Sequence, residues 1–309
     1  MEIEIKIVQT QEMELDRLYS QIKMKKVDVG QYFGGTLIAN AWNNLYYNLN
    51  RIIPDIPPDL IPNNNQFCPV ILGVGNGLPS LKLLSPYLNK LSTLILIDTS
   101  LEMLNLAIAQ IKNYITCPII GLVANFILDQ QAVQNILQNI SEPKIFICLG
   151  YTVGNYNQEV ILNIFYTYLN LKDQLLIEIA YFTSVSDLEK DATYYISQEN
   201  CNFGLKWLEA CGHIPMYRLT NATFEKDLNI SEIFVIKGNY TFHNTTTLYI
   251  GKSQHRALTF TAGENIQFVE TRRYLKNSMI QHFEKYKLYT LFIQHQQKSS
   301  FIMLEKNYA

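Results

Sequence analysis

The sequence predicts a doubly wound α/β fold, in which helices cover both faces of a mostly parallel sheet. Short apolar runs alternate with amphipathic segments from residue 68 to residue 182. The runs are apolar at almost every position, as expected for strands that are buried on both faces. The first run ends in closely spaced glycines, and a glycine-rich turn after a strand marks the ligand-binding edge of such sheets.

Each apolar run fits a strand, and each segment between two runs fits a helix. In chain order the predicted strands are PVILGVG, LSTLILIDTS, PIIGLVANF, KIFICLGYT and QLLIEIAYF. The helices between them are SLKLLSPYLNKL, LEMLNLAIAQIKNYI, QQAVQNILQNI and QEVILNIFYTYLNL. The C-terminal segment predicts a helix and two strands, which we expect to add an antiparallel pair to the edge of the sheet.

Residues 229 to 270 have a different pattern, with short strand-like pieces separated by turn signals. The expected turns are Lys237-Gly238-Asn239, Gly251-Lys252-Ser253 and Ala262-Gly263-Glu264. Closely spaced strands of this kind favour an antiparallel meander over further βαβ units. We therefore predict an inserted antiparallel β/α domain in this part of the chain.

The N-terminal 55 residues are rich in aromatic side chains and are mainly helical by pattern. They are too short to form a core alone, so we expect them to pack with the meander. The predicted domains are then 56–195 with 280–309 for the ligand-binding sheet, and 1–55 with 196–279 for the second domain.

Composition points to a small-molecule partner. The 309 residues carry a formal net charge of −2, and no long basic run would attract nucleic acid or an anionic membrane. The first residues lack the pattern of a signal peptide, and no apolar run reaches the length of a membrane span, so we expect a cytoplasmic protein. The five scattered cysteines predict reduced, buried thiols, and no cluster suggests a metal.

The stretch VILGVGNGLPS contains Gly73, Gly75 and Gly77 directly after the first strand. Glycine lets the backbone approach a ligand closely, although a tight β-to-α turn would use the same residues. Asp98 ends the second strand about 20 residues later, where a carboxylate accepts the two hydroxyls of a ribose. A solvated loop aspartate is the alternative interpretation.

Enzymes that bind a nicotinamide cofactor and enzymes that bind S-adenosylmethionine both have such a glycine turn followed by a carboxylate. The dinucleotide fingerprint requires glycine where this chain has Leu78, which disfavours a nicotinamide cofactor. S-adenosylmethionine (SAM) has no phosphate and needs an adenine slot. Asn125 and Phe126 follow the third strand and suit the edge and the face of that ring, although Phe126 could equally be a core residue.

The order of the motifs GVGNGLPS, IDTS, ANF, LGYTVGN and VETRRY resembles that of a known family. It is similar to the SAM-dependent amino-acid N-methyltransferases of the histidine Nα-methyltransferase type, which make the trimethylhistidine of ergothioneine. The resemblance implies a Rossmann-like methyltransferase sheet. It also implies that SAM lies against residues at the ends of the first three strands, namely Gly73, Gly75, Asp98, Ser100, Asn125 and Phe126.

The same resemblance implies that the second domain, 1–55 with 196–279, is a substrate-binding lid, and it suggests substrate-binding residues. Asn155, the last residue of LGYTVGN, would lie beside the amino acid, and its amide oxygen suits a neutral amine. Alternatively, the Asn155 side chain only forms hydrogen bonds with the backbone of the turn. Tyr194 or Tyr195 falls where the family has a tyrosine for the substrate carboxylate. Other candidates for lining the pocket are the N-terminal tyrosines Tyr32, Tyr46 and Tyr47.

The segment VETRRY departs from the family at one position. The family selects histidine with a Glu and, two residues later, a Ser; here these positions hold Glu270 and Arg272. The Arg272 cation could pair with Glu270 and remove its free acceptor, or face an acidic group of the substrate. A solvent-facing position is the third interpretation.

The sequence thus predicts a SAM-dependent N-methyltransferase, a monomer or homodimer, for a free amino acid or small amine other than plain histidine. Three alternatives stay open: histidine Nα-trimethylation; SAM chemistry without methyl transfer, by intramolecular cyclisation or aminocarboxypropyl transfer; and an inactive SAM-binding partner subunit.

Overall fold

The computed structural model describes residues 2–27, 60–61, 66–230, 232–251, 256–276, 278–296 and 298–307. The candidates Tyr32, Tyr46 and Tyr47 lie outside the described residues.

A parallel sheet forms the centre of the protein, as predicted. Its strands are β1 (Ile3–Ile7), β2 (Cys68–Leu72), β3 (Leu94–Asp98), β4 (Ile119–Val123), β5 (Lys144–Cys148) and β6 (Gln174–Phe182). They lie in the order β1-β4-β3-β2-β5-β6. The order reverses at β2, between β3 and β5, so the turn after β2 lies at the switch point where such sheets bind ligands.

Helices cover both faces of this sheet. They are α2 (Leu78–Leu84), α3 (Leu101–Ile111), α4 (Gln130–Leu137) and α5 (Gln158–Tyr168). Helix α1 (Gln11–Lys23) instead packs its apolar residues into the core of the later antiparallel region. The apolar sides of α2 and α3 bury one face of the sheet, and those of α4 and α5 bury the other. Successive side chains of a strand point to opposite faces, which explains why these strands are apolar throughout.

The antiparallel pair at the C-terminus is confirmed. After strand β6 the described elements include three further helices, α6 (Val185–Tyr195), α7 (Gln198–Gly204) and α8 (Lys206–Ala210). Helix α9 (Met279–Lys285) precedes the C-terminal pair, strands β12 (Leu288–His295) and β13 (Ser299–Lys306). Strand β13 runs antiparallel to β6 along most of its length, so the pair extends the central sheet.

Antiparallel strands between these elements form a second region. Strands β7 (Thr220–Lys226), β8 (Ile233–Thr241) and β11 (Asn265–Leu275) pair in the order β7-β8-β11. A separate hairpin joins β9 (Thr246–Tyr249) and β10 (Ala257–Phe260). The end of β11 also pairs with the end of β6, through Tyr274 with Tyr181 and Leu275 with Phe182, so the two regions share one continuous sheet.

Two sequence predictions were wrong in detail. Residues 3–7 were expected in a mainly helical segment but form strand β1, an exposed edge strand that pairs with β4. Gly238 was expected in a turn but lies inside strand β8. A Cβ there would lie 3.1 Å from the Phe268 ring, so this glycine allows close packing. The turn at Gly263 is confirmed, with φ of +87°.

The five cysteines are free and buried, as predicted. Across the ranges described above, no helix is long and apolar enough to span a bilayer.

Candidate active site

The turn after β2 is built around the carboxylate of Asp98. The Gly75 amide donates to Oδ2 of Asp98 at 2.9 Å, and the Ser100 amide donates to Oδ1 at 3.0 Å. Burial raises the pKa of Asp98 to about 6, although these two N–H groups favour the ionised form. Asp98 thus ties the glycine turn to the end of β3, and its carboxylate, with about four lone-pair sites, keeps acceptor capacity beyond the amides of Gly75, Ser100 and Thr99.

The three glycines have different roles. All three have left-handed φ angles, which side chains disfavour. A Cβ on Gly77 would lie 2.9 Å from Ala107 Cα, so Gly77 lets the turn pack directly on helix α3. A Cβ on Gly73 would meet only the Thr152 side chain, at 3.7 Å. Because Gly73 has no side chain, no side-chain atom of its own enters the space between this turn and Thr152 in the turn after β5.

Asn125 and Phe126 occupy the turn after β4. The Asn125 side-chain oxygen accepts from the amides of Ile127 and Leu128 at 3.0 Å, so it shapes this turn. The Phe126 ring is buried in the core and packs edge-on against Tyr156, with ring centroids 5.8 Å apart. These contacts account for both residues structurally, and their contact with adenine stays a prediction.

Helix α1 lies beside the same edge of the sheet, a feature that the sequence reasoning missed. Arg17 Nη2 donates to Oδ1 of Asp129 at 2.6 Å, and the other oxygen of Asp129 accepts from the Asn125 amide. Burial, with the nearby charges of Glu102 and Asp98, raises the pKa of Glu14 to about 7. No local sequence pattern indicates these contacts, because the contacting residues are far apart in the chain. Arg17 and Asp129, for example, are separated by 112 residues.

The residues at this edge fit SAM. A ribose needs a carboxylate with spare acceptors at the end of β3, and Asp98 supplies one. Close approach of a cofactor needs a backbone without side chains, and Gly73 and Gly75 supply it.

The LGYTVGN motif forms a compact turn after β5. Gly150 and Tyr151 have left-handed φ angles, and Thr152–Asn155 form one turn of 3₁₀ helix. The Gly150 amide donates to Oε2 of the buried Glu178 at 2.9 Å. Burial raises the pKa of Glu178 to about 7. This buried carboxylate holds the beginning of the turn in place.

Strand β11 packs directly against this turn. A Cβ on Gly154 would lie 2.9 Å from the Arg272 carbonyl oxygen, so only glycine allows the approach. Tyr151, at the start of the turn, contacts the Arg273 guanidinium through its ring, at 5.8 Å from the centroid. Asn157, just after the turn, lines a cleft together with Arg272. Half-buried Asn155 lies between these two in the chain.

Glu270 and Arg272 form an ion pair, one of the arrangements expected from the sequence. Arg272 Nη2 donates to Oε1 of Glu270 at 2.8 Å. The other oxygen, Oε2, lies 2.6 Å from Lys26 Nζ and accepts from Gln267 Nε2 at 3.1 Å. Burial opposes ionisation, but Lys26 and Arg272 outweigh it and lower the pKa of Glu270 to about 2. Both carboxylate oxygens are therefore engaged.

The cleft beside this pair has a volume of about 180 Å³. Its walls come from the hairpin between β7 and β8, from the β11 residues Glu270 and Arg272, and from Asn157. Asp227 of the hairpin places Oδ2 at 3.8 Å from Arg272 Nε. Lys26 and Asp227, like α1, carry no sequence signal for this role because they are distant in the chain.

Tyr195 lies on the other face of β11. Its hydroxyl accepts from Arg273 Nη2 at 2.8 Å, and Asp191 accepts from Arg273 Nε at 2.6 Å. Arg273 follows Arg272 in a regular strand, so the two side chains point to opposite faces. Tyr194 contacts Tyr195 edge-on. The structure thus brings Glu270 and Arg272 together and places Tyr195 across the strand from them.

Comparisons with known proteins agree with this site. The family model described as histidine-specific methyltransferase, SAM-dependent, matches residues 65–306. No curated protein matches the sequence.

Several solved structures share low similarity with the chain. One is a SAM-dependent methyltransferase from Clostridium acetobutylicum ATCC 824, 11% identical, with 96% of this chain and 100% of that chain covered and a TM-score of 0.38. The mitomycin 7-O-methyltransferase MmcR is 9% identical, with 95% and 67% covered and a TM-score of 0.44. The magnesium protoporphyrin IX methyltransferase ChlM from Synechocystis PCC 6803, with bound SAH, is 11% identical, with 96% and 89% covered and a TM-score of 0.37.

The family model shows that the chain, with its Rossmann-like sheet, is a SAM-dependent methyltransferase. The family match covers most of the chain and carries the finer assignment. The protein belongs to the family of histidine-specific, SAM-dependent methyltransferases.

Proposed function

We propose that this enzyme methylates the amine nitrogen of a free amino acid or related small amine other than plain histidine. One observation carries the proposal: Glu270, beside the LGYTVGN turn, has both carboxylate oxygens engaged by Arg272 and Lys26.

In the proposal, residues at the strand ends hold the cofactor. Bound SAM supplies a methyl carbon that its sulfonium charge already activates. Asp98 accepts the ribose hydroxyls, and Ser100 supports it through its amide. Gly73 and Gly75 leave room for the methionine portion, and Asn125 with Phe126 borders the adenine. The chain itself therefore provides binding and orientation.

Asn155 is proposed to orient the acceptor. Its amide oxygen accepts an N–H of the neutral amine, which directs the nitrogen lone pair toward the methyl carbon. The lone pair forms the new N–C bond as the C–S bond breaks, and its electrons stay on sulfur. The surplus proton of the amine is released to water. No covalent intermediate with the protein is needed.

The position of Asn155 suits an amino acid. The turn runs from Tyr151, which contacts Arg273, to Asn157, which lines the Arg272 cleft. An amino acid could therefore present its amine to Asn155 and its side chain toward the cleft. Tyr195 accepts from Arg273 on the opposite face of β11 and keeps its own O–H for donation. Carboxylate binding by Tyr194 or Tyr195 stays a prediction from the resemblance, and lining of the pocket by Tyr32 stays a prediction from the sequence.

Plain histidine suits this cleft poorly. Oε2 of Glu270 already accepts from Lys26 and Gln267, so an imidazole N–H would have only the second lone pair of Oε1, directly beside the Arg272 guanidinium. Removing either cation would leave a buried charge underpaired, so displacing one to admit imidazole is costly. Histidine Nα-trimethylation, although typical of the family, is therefore the second candidate.

Further predictions from the sequence belong to the same proposal. A substrate-binding lid from residues 1–55 and 196–279 would close over the sheet domain of 56–195 and 280–309. A cytoplasmic location and a monomeric or homodimeric state are proposed with it.

The by-product of SAM tests this proposal. The enzyme is incubated with SAM, with and without a mixture of free amino acids, and the nucleosides and amines are followed by mass spectrometry. We expect S-adenosylhomocysteine to form only when an amino acid is added, together with a product heavier by methyl units. Methylthioadenosine instead would indicate cyclisation or aminocarboxypropyl transfer, and unchanged SAM would indicate a binding subunit.

A further inference from the structure

The Arg272 guanidinium is buried but incompletely bonded. Its side chain is 7% exposed, and Nη2 donates to Glu270. Nε and Nη1 have no hydrogen-bond partner within the described part of the chain. Buried donors without partners are rare and cost free energy, so two on one cation suggest that a ligand completes the site.

The neighbouring acids do not complete it. Asp227 is 3.8 Å from Nε, which is close enough for an ion pair but too far for a hydrogen bond. Glu270 shares its charge with Lys26, which contacts its other oxygen at 2.6 Å. Arg272 therefore keeps donors that a further anion could use.

The cleft has room for such a group. Its volume of about 180 Å³ is several times the roughly 30 Å³ that a water molecule occupies in the liquid. Among the other cleft residues, Lys237 pairs with Glu225, so the ions of the rim largely compensate each other. The underbonded Arg272 is the feature that distinguishes this cleft from an ordinary polar surface.

We infer that Arg272 binds a carboxylate on the side chain of the substrate, so that the enzyme selects amino acids with an acidic side chain. Guanidinium is suited to this role because it is always charged and its planar donors match a carboxylate. This inference rests on the proposed function and names the substrate class of the same site.

The first test compares isosteric substrates with the unmodified enzyme. Glutamate is compared with glutamine and aspartate with asparagine, with histidine included, at fixed SAM. We expect kcat/KM to favour the acid of each pair by about tenfold or more, as for a charged hydrogen bond. Calorimetry with S-adenosylhomocysteine present should show the same order of affinity without turnover. Equal use of acid and amide, or a preference for histidine, would overturn the inference.

Substitutions of Arg272 then test whether this residue causes the preference for acidic substrates. Arg272→Gln should abolish the acid preference mainly through KM, and Arg272→Lys should keep part of it because the charge remains. Arg256→Gln is the matched control, since Arg256 is equally buried but bonded to Asp16 and Glu12. Its ratio of acid to amide should equal that of the unmodified enzyme. If Arg272→Gln kept the full preference, another residue would bind the carboxylate and the inference would be wrong.

The outcomes distinguish a variant that does not fold from a wrong inference, and a wrong inference from a wrong proposed function. If Arg272→Gln does not fold, as judged by thermal melting, the isosteric pairs and Arg272→Lys still decide. If only neutral amino acids are methylated, the inference is wrong and the proposed function stands. If SAM is consumed without any methylated amine, both are wrong.

Discussion

Arg272 Nη2 donates to Glu270 Oε1 at 2.8 Å, and this pair lies on the strand that packs against the LGYTVGN turn. The arginine therefore acts on Glu270 in a way that serine could not. It engages one oxygen of the carboxylate and places a second, positively charged group in the same cleft. We propose that this position changes which substrate the enzyme selects.

Releasing Glu270 should restore histidine as a substrate. Arg272→Ser frees Oε1, so we expect a higher kcat/KM for histidine than in the unmodified enzyme. Adding Lys26→Gln removes the cation from Oε2, where Gln267 still donates, and should raise kcat/KM for histidine further. Steady-state kinetics with histidine measures both steps. Equal activity on histidine in all three proteins, or its absence from all three, would show that Arg272 does not select the side chain.

Asp98 should dominate cofactor affinity. Asp98→Ala removes the carboxylate proposed for the ribose, and we expect SAM binding to weaken by roughly 1.5 to 3 kcal/mol, as for lost charged hydrogen bonds. Titration calorimetry gives this value directly. Glu189→Gln, an exposed carboxylate on helix α6, is the control and should bind SAM normally. Unchanged affinity in Asp98→Ala would remove the ribose assignment.

SAM binding should also depend on pH. The pKa of Asp98 is about 6, so the carboxylate gains a proton as the pH falls through 6 and loses acceptor capacity. SAM affinity should therefore decrease from pH 7 to pH 5, and Asp98→Asn should flatten this dependence. Glu14, with a pKa near 7, titrates close by, so Glu14→Gln serves to separate its contribution. A profile that is identical in Asp98→Asn would contradict the assignment.

The same shift predicts the sign of a stability effect. The Asp98 pKa in the folded protein lies above its ordinary value of 3.8, so the folded state binds this proton more tightly than the unfolded state. The contribution of Asp98 to stability without cofactor should therefore fall as the pH rises from about 4 to about 6. Urea unfolding of the enzyme and of Asp98→Asn across this range measures the difference.

A comparison of Gly77 with Gly263 separates the stability cost of backbone strain from the cost of overpacking. Gly77 and Gly263 both have positive φ, at +81° and +87°. A Cβ on Gly77 would lie 2.9 Å from Ala107 Cα, whereas a Cβ on Gly263 would meet nothing within 4 Å. Gly263→Ala should lose about 1 to 2 kcal/mol of unfolding free energy from strain alone. Gly77→Ala should lose about 1 to 3 kcal/mol more from overpacking. Equal losses would rule out the packing role of Gly77.

Asn155 should affect turnover and leave cofactor binding unchanged. Asn155→Ala removes the proposed acceptor for the amine, and misorientation of this kind can cost up to about 100-fold in rate. We expect kcat to fall while SAM affinity measured by calorimetry is unchanged. A parallel loss of SAM affinity would indicate that Asn155 instead maintains the turn.

The central sheet was predictable because its strands are buried on both faces and its helices are amphipathic. Each run from PVILGVG to QLLIEIAYF is a local pattern that needs no information about its partner. The antiparallel pair of β12 and β13 could also be recognised from local pattern, although β12 is largely exposed or half-buried. The glycine turn and Asp98 were accessible from spacing, since both end strands that are adjacent in the sheet.

Features that depend on distant partners could not be predicted. Strand β1 is short and exposed, and its partner β4 begins more than 100 residues later, at Ile119. The Lys26 contact with Glu270 and the Arg17 contact with Asp129 join residues with no local pattern. Gly238 resembled a turn signal because glycine serves equally well where an aromatic ring packs on a strand. The continuity of β6 with β11 had no sequence signal either.

The most direct measurement of the central claim follows the methyl group itself. The enzyme is given SAM with a deuterated methyl group and a mixture of free amino acids, and the product is fragmented in a mass spectrometer. The account predicts that the deuterated methyl appears intact on the amine nitrogen of one amino acid. A label that stays in methylthioadenosine, or that appears on an atom other than this nitrogen, would contradict it.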